Sequence, residues 1–220
     1  MGAPDVKVEN VGPETQEDPM YDPALLAALD WSGVTHMKGG VTCQAPGPGL
    51  RVRPLCKADY DRGFLQLLAQ LTKVGDISRE KFEERFEAMR ACRGHYYVTV
   101  IEDVDQGRVV GAATLACEMK FIRGCAKRGR LEDVVVSDQY RGKQLGKLIV
   151  TTINLLACHV GCYKLGLDCK DSMKPFYSSL GYTSEDGNDN TMIIRFPPPA
   201  TPSSSNGSPP SPPSAIPSHL

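Results

Sequence analysis

Short apolar segments bounded by glycine, proline or charged residues recur along the middle of the chain and predict the strands of a sheet. The segment LRVRPL alternates apolar and polar residues and is stopped by Pro54, which cannot donate a hydrogen bond to a neighbouring strand. The segments HYYVTVIED and RVVGAATLACEMK are joined by VDQG, a short connection typical of a β-hairpin. The predicted strands cover residues 50–55, 95–103, 108–120, 131–136, 162–169 and 191–196.

Longer segments with apolar residues every three or four positions predict amphipathic helices between these strands. Phe64, Leu67, Leu68 and Leu71 share one face of the first, and Ser78 is a suitable N-cap for the second. The predicted helices cover residues 58–71, 78–92, 146–160 and 172–181. The order β-α-α-β-β-β-α-β-α-β predicts an α/β domain whose mixed central sheet is flanked by helices.

The two ends of the chain differ from this middle part in composition. Residues 197–220 contain nine prolines and seven serines, too little apolar surface for a packed core, and we predict a disordered tail. Residues 1–48 form an acidic leader, in which DPALLAALDW predicts a short helix that docks through its three leucines, followed by a glycine- and proline-rich linker. The folded domain is therefore predicted to span residues 49–196.

Charge is balanced over the whole chain but unevenly distributed. The 220 residues include 25 lysines and arginines against 26 acids, a net charge of −1, which gives no global attraction to nucleic acid or to a membrane surface. Residues 120–147, in contrast, carry eight basic residues and three acids. We therefore expect an anionic ligand near this segment and no nucleic-acid partner.

Eight cysteines without a C-x-x-C pair predict reduced, buried thiols and a cytoplasmic protein rather than a disulfide or zinc framework. The four histidines are scattered, so no metal site is predicted. The acidic N-terminus lacks the apolar segment of a signal peptide, and no apolar run reaches the ~18 residues that span a bilayer. Peripheral attachment to an organelle membrane stays open.

The segment RGKQLGK, Arg141 to Lys147, follows the apolar run VVV and opens a predicted helix. The first N–H groups of a helix have no internal partner and the helix dipole is positive there, so this turn suits a diphosphate. Gly142 and Gly146 allow a ligand to approach the backbone. The turn lacks the G-K-[ST] ending of a P-loop and is not a G-x-G-x-x-G motif. From the glycine pattern alone, an ordinary strand–helix turn with surface lysines is equally acceptable.

With its flanks, the segment VVVSDQYRGKQLGKLIV resembles motif A of the GNAT acetyltransferase superfamily, Q/R-x-x-G-x-G/A, with Gln144 in place of the first glycine. The segments CAKRG, EDVVV and CYKLGLDC…FYSSLGY narrow the resemblance to the glucosamine 6-phosphate N-acetyltransferases, over about residues 20–196. The resemblance implies a GNAT fold and acetyl transfer from acetyl-CoA to D-glucosamine 6-phosphate, a step toward UDP-N-acetylglucosamine. It also implies a homodimer whose active sites are shared between subunits.

The same resemblance assigns residues to the acetyl-CoA site. In the superfamily the strand before the turn splays away from its neighbour, so its main chain is free to bind the cosubstrate. Met173 stands where the family often has an asparagine that supports the CoA arm. The residues implied in acetyl-CoA binding are Val134, Val135, Val136, Arg141, Gly142, Lys143, Gln144, Leu145, Gly146, Phe176 and Tyr177.

For the reaction itself we predict Glu132, Asp168 and Tyr177, of which the resemblance assigns the role of Asp168. Glu132 would act as a base through a water molecule, the main-chain carbonyl of Asp168 would orient the amine, and the Tyr177 phenol would stabilise the leaving thiolate. Because adjacent strand residues face opposite sides, Glu132 and Asp133 are expected to serve the sites of different subunits. The residues implied in substrate binding are Thr72, Lys120, Phe121, Ile122, Arg123, Glu132, Asp133, Val134, Asp168, Cys169 and Arg195.

Two other functions stay open. One is a GNAT-fold acetyltransferase for a different amine, such as a lysine side chain, because a fold alone does not set the substrate. The cations Lys120, Arg123 and Arg195 argue against such basic substrates. The other is a non-catalytic acetyl-CoA-binding protein, against which the presence of the three implied catalytic residues argues.

Overall fold

The computed structural model describes residues 18–184 and residue 194, and its centre is a single five-stranded sheet. Its strands are β1 Leu50–Pro54, β2 Tyr96–Asp103, β3 Arg108–Met119, β4 Lys127–Val136 and β5 Cys162–Gly166. They lie in the order β1-β2-β3-β4-β5, with antiparallel pairing from β1 to β4 and parallel pairing of β5 with β4. The hairpin predicted at residues 104–107 joins β2 to β3, and the predicted mixed sheet is confirmed.

Within the described residues, six short or medium-length α-helical segments connect and cover the strands. They are α1 Ala24–Ala27, α2 Phe64–Leu68, α3 Arg79–Ala91, α4 Ile122–Cys125, α5 Leu145–His159 and α6 Lys174–Ser178. The Ser78 hydroxyl accepts a hydrogen bond from the N–H of Lys81, so the predicted N-cap of α3 is confirmed. Segment α4 is a turn rather than a regular helix, because Arg123 and Gly124 have positive φ angles.

The single helix predicted over residues 58–71 is wrong. The chain forms a 3₁₀ turn at Lys57–Tyr60 and starts again as α2 after Gly63, whose φ of 83° lies in the left-handed region that interrupts a helix. Phe64 and Leu67 of α2 are buried, but Leu71 lies beyond the end of this short helix and is 47% exposed.

Helices cover both faces of the sheet with hydrophobic side chains. On one face α5 packs its nearly continuous apolar surface, including Leu148, Ile149 and Ile153, against β3 and β4. Leu26 and Leu29 of the leader join this core, which confirms that the leader docks on the domain. On the other face Phe82 and Phe86 of α3 and the apolar residues of α2 cover β2 and β3.

A buried cluster of charges fastens β1 to its neighbours. The Arg53 guanidinium donates to both oxygens of Asp59, at 2.8 and 2.7 Å, and to Glu102 Oε2 at 2.8 Å. All three side chains are buried, and Arg51 donates to the same Glu102 oxygen from the surface. Burial alone would raise the pKa of Glu102, but hydrogen bonds from Arg53 and Arg51 outweigh it and lower that pKa.

Some predictions lie outside the described residues or need correction. Apart from residue 194, the predicted strand at 191–196 and the predicted tail at 197–220 lie outside the described part of the chain. The eight cysteines are free, as predicted, but the expectation that they are buried is wrong for the four exposed ones, Cys92, Cys125, Cys158 and Cys169. Cys158 faces away from the core because it lies on the outer side of α5.

Candidate active site

The pairing between β4 and β5 stops halfway along β4 and leaves an opening. The register runs from Lys127↔Cys162 to Arg130↔Gly166, whereas β4 continues to Val136. Residues 131–136 therefore have their main chain paired with β3 on one side only. The splayed strands that the family resemblance implied are thus present in the fold.

A β-bulge shapes the same half of β4. Thr114 pairs with Glu132 but Ala112 pairs with Val135, so β4 contains one extra residue, and Asp133 has a φ of 53°. The N–H of Ser137 donates to the Val110 carbonyl on β3 at 2.8 Å. Because donors alternate along a strand, the N–H of Val136 points away from β3, into the opening.

The bulge removes the physical ground of one prediction, which stays a prediction. Strict alternation was expected to separate Glu132 from Asp133, but a residue in the left-handed region at a bulge does not follow the alternation of a regular strand. Loss of water around the Asp133 carboxylate, and then the charge of Glu132, raise the pKa of Asp133 above its usual value. Alternation therefore gives no reason to assign the two acids to different sites.

The turn after β4 presents the head of α5 to solvent. The first internal hydrogen bond of α5 joins the Leu148 N–H to the Gln144 carbonyl at 2.9 Å, so the N–H groups of the preceding three residues have no partner within the helix. Gly142 has a φ of 79°, a conformation that L side chains rarely adopt. Arg141 and Lys143 add positive charge beside this turn. The structure is therefore suited to bind an anion where the sequence predicted it.

Gln144, which stands in place of the first glycine of the motif, keeps the backbone conformation that glycine favours. Its φ of 60° lies in the left-handed region, the conformation that the glycine of the signature adopts without strain. Its side chain also fastens the leader segment: Gln144 Oε1 accepts from the Lys38 N–H at 3.2 Å, and Gln144 Nε2 donates to the Lys38 carbonyl at 3.4 Å. Sequence reasoning missed this contact because the two residues lie 106 positions apart.

Phe176 and Tyr177 on α6 lie beside the head of α5. A methyl group added at Gly146 would meet the Phe176 ring at 3.6 Å, so this glycine lets the ring approach the α5 backbone. Tyr177 is half-buried and packs edge-on against Phe176 and Tyr182, with ring centroids 5.0 and 5.7 Å apart. Burial raises the pKa of the Tyr177 phenol, and the charge that Cys169 would carry raises it further. The phenol therefore stays protonated at neutral pH.

Arg130 brings two of the predicted catalytic residues together. Its Nε donates to Glu132 Oε1 at 2.7 Å and its Nη2 donates to Asp168 Oδ2 at 2.6 Å. The hydrogen bond to Glu132 has the larger effect on the pKa of the guanidinium and the one to Asp168 the next. Both raise this pKa, so the guanidinium stays charged. Sequence reasoning missed Arg130, although its position two residues before Glu132 places both side chains on one face of β4.

The remaining predicted substrate residues are dispersed. Lys120, Phe121, Ile122 and Arg123 precede β4 and so lie at the end opposite to the α5 turn, about 30 Å away along a ten-residue strand. Phe121 is 97% exposed and Ile122 65% exposed.

Three of the predicted substrate-binding residues remain, Thr72, Cys169 and Arg195. Thr72 is exposed and follows α2, near Gln70, whose Oε1 accepts from the N–H of Asp138 at the far end of β4. Cys169 is exposed. Arg195 lies outside the described residues.

The residues present fit acetyl-CoA, since a free strand edge, a helix N-terminus and two cations lie next to one another. Among the described residues, no group of three or more histidine, cysteine, aspartate or glutamate side chains is placed to hold a metal ion. Within the same part of the chain, no helix has the length and apolar character needed to cross a membrane.

Comparison with known proteins agrees with this geometry. A family model described as the acetyltransferase (GNAT) family matches residues 64–182. A Drosophila melanogaster protein named probable glucosamine 6-phosphate N-acetyltransferase is 55% identical over 184 residues, which cover 83% of this chain and 84% of that protein. An Arabidopsis thaliana protein named glucosamine 6-phosphate N-acetyltransferase is 38% identical over 61% of this chain and 91% of that protein.

Solved structures give the same result. The crystal structure of glucosamine-6-phosphate N-acetyltransferase from Arabidopsis thaliana superposes with a TM-score of 0.62 at 35% identity, over 67% of this chain and 97% of that one. The fold predicted from the sequence is therefore confirmed. The chain belongs to the GNAT family of acetyltransferases.

Proposed function

We propose that this protein transfers the acetyl group of acetyl-CoA to the amine of D-glucosamine 6-phosphate, giving N-acetyl-D-glucosamine 6-phosphate for UDP-N-acetylglucosamine synthesis. The names of curated relatives, at up to 55% identity, support this activity. The structural observation that carries it is the end of β4–β5 pairing at Arg130↔Gly166, which opens a free strand edge beside the head of α5. This arrangement suits a long, phosphorylated thioester.

Acetyl-CoA supplies the activated thioester when it is bound. The N–H groups at the head of α5, with Arg141 and Lys143, bind its diphosphate. The Val136 N–H, which points into the opening, donates to the part of the cosubstrate lying along β4. These contacts fix the thioester in the opening between β4 and β5, which Arg130 spans between Glu132 and Asp168.

The chain's own side chains then handle the protons. Glu132 accepts a proton from the sugar's ammonium through a water molecule, and the main-chain carbonyl of Asp168 orients the amine for direct attack. Tyr177, which is protonated at neutral pH and whose pKa burial raises further, donates a proton to the leaving sulfur and regains one from the attacking nitrogen, which loses its second proton as the amide forms. Transfer is direct, so no acetyl group is carried by Cys169.

We also propose a homodimer in which each subunit completes the other's sugar site. Four residues lie at the end of β4 opposite to the α5 turn. They are the exposed apolar residues Phe121 and Ile122 and the cations Lys120 and Arg123. A second subunit that covers these residues would receive their cations in its own sugar-phosphate site. A cytoplasmic location stays a prediction.

Measuring thiol release from acetyl-CoA with three acceptors tests the proposed function. We expect rapid release with glucosamine 6-phosphate and slow release with glucosamine or a lysine peptide, because the cations of the proposed sugar-phosphate site recognise the phosphate. Fast release with the peptide alone would instead indicate a lysine acetyltransferase. No release with any acceptor, combined with acetyl-CoA binding, would indicate a non-catalytic binding protein.

Reversing the charge of Arg141 should weaken acetyl-CoA binding specifically. We expect Arg141→Glu to raise the KM for acetyl-CoA about fivefold to tenfold, with kcat nearly unchanged, because an exposed cation beside the diphosphate is lost. The matched control is Arg93→Glu, a reversal at an exposed arginine after α3. Equal KM values for the two variants would remove Arg141 from the cosubstrate site.

A further inference from the structure

Arg130 occupies the position where main-chain pairing between β4 and β5 ends. Its rung with Gly166 is the last in the register, and the two strands separate beyond it. Its side chain, only 28% exposed, reaches forward from this rung to Glu132 on β4 and to Asp168 after β5. One guanidinium therefore joins the two sides of the opening just past the point at which the backbone stops joining them.

The bridge also determines how each carboxylate is presented. Arg130 uses Glu132 Oε1 and Asp168 Oδ2, and neither Glu132 Oε2 nor Asp168 Oδ1 hydrogen-bonds to another described residue. One oxygen of each acid is thus fixed and the other is left for a ligand. Holding the Asp168 side chain also holds the peptide unit that carries its carbonyl.

We propose that Arg130 is a positioning residue for acetyl transfer, which sets the separation and orientation of Glu132 and Asp168 across the opening. This inference rests on the proposed function, because Arg130 acts through Glu132 and Asp168, the two residues to which that function assigns the handling of the amine. A planar guanidinium with several fixed donors suits this role, since it reaches two carboxylates at once. A lysine ammonium at the same position keeps the charge but lacks the fork that spans both.

Kinetic constants for Arg130→Ala and Arg130→Lys, measured with glucosamine 6-phosphate and acetyl-CoA, test the proposal. We expect Arg130→Ala to lower kcat by about tenfold to a hundredfold, as a displacement of about 1 Å in a reacting group does. The KM for acetyl-CoA should stay within about twofold, because Arg130 does not touch the α5 turn. Arg130→Lys should lie between the alanine variant and the wild type.

Two further measurements separate positioning from a general structural effect. Free guanidinium at millimolar concentration should restore part of the kcat of Arg130→Ala in a saturable manner. The control is Arg90→Ala, which removes an arginine that likewise bridges two carboxylates, Glu87 and Asp18, at the end of α3. That variant should keep the wild-type kcat and show no response to guanidinium.

The outcomes that overturn the proposal are distinct. A kcat of Arg130→Ala within twofold of the wild type overturns it, as does a loss confined to the KM for acetyl-CoA. If the alanine variant does not fold, a lysine variant with the wild-type kcat overturns the two-carboxylate bridge. A wild-type protein inactive on glucosamine 6-phosphate would instead contradict the proposed function, which the same experiment measures first.

Discussion

Tyr177→Phe is expected to lower kcat by about tenfold to a hundredfold, at or below the ~10²–10⁴-fold that one general acid typically contributes. The reason is specific to the oxygen, since the phenylalanine ring can keep the edge-on contacts with Phe176 and Tyr182. The thiolate of CoA would then leave without a proton donor, whereas binding of acetyl-CoA would change little. Steady-state kinetics with both substrates varied gives kcat and both KM values.

Tyr182→Phe is the matched control for this prediction. Tyr182 packs against Tyr177 on the same side of α5, but its hydroxyl donates to Asn154 Oδ1 at 2.5 Å. Its loss should cost about 1 kcal/mol of stability, the net value of one hydrogen bond, and leave kcat unchanged. If Tyr177→Phe turns over as fast as Tyr182→Phe, the Tyr177 phenol takes no part in the chemistry.

Arg53→Met is expected to destabilise the folded protein by about 3–5 kcal/mol, the cost of breaking a buried ion pair by removing one partner. The methionine fills much of the volume but leaves the carboxylates of Asp59 and Glu102 buried without their main cation. Removing the Arg53 charge therefore leaves the two buried acids with only the weaker pairing that the more exposed Arg51 and Arg62 supply. Urea unfolding followed by circular dichroism gives the free energy of unfolding.

Arg79→Met provides the comparison. Arg79 also pairs with carboxylates, those of Asp61 and Glu83, but all three side chains are at least 40% exposed. Exposed pairs are screened by water, and this substitution should therefore change the stability far less than Arg53→Met. Similar losses for the two variants would show that burial of the Arg53 cluster does not matter.

Several parts of the fold follow from local patterns alone. The apolar run VVV predicts a strand that is buried on both faces, because successive side chains of a strand point to opposite sides. Val135 indeed lies in the core on one face of the sheet, and Val134 and Val136 pack against the core on the other face. The segment 146–160 predicts a helix with an apolar face because the spacing of its apolar residues is close to 3.6. These predictions succeed because hydrophobic burial dictates the same local conformation in almost any context.

Positive φ angles mark where local patterns fail. Gly63 interrupts a helix that apolar spacing alone predicts, and Asp133 adopts a left-handed conformation at a bulge that nothing in the strand pattern announces. Gln144 adopts the same region without glycine. At Gln144 this conformation is accompanied by a contact with Lys38, which lies far away along the chain.

The sequence by itself determined the order of the five described strands, the glycine- and lysine-containing turn that opens α5, and the family, because each rests on residues close together along the chain. Only the tertiary structure decided that Arg130 joins Glu132 to Asp168, and that Gln144 holds the leader at Lys38. The contact between Arg130 and Asp168 joins residues that are 38 positions apart in the sequence. The contact between Gln144 and Lys38 joins residues that are 106 positions apart. Their geometry is set by where β4 and β5 separate, and strand separation depends on packing across the whole sheet.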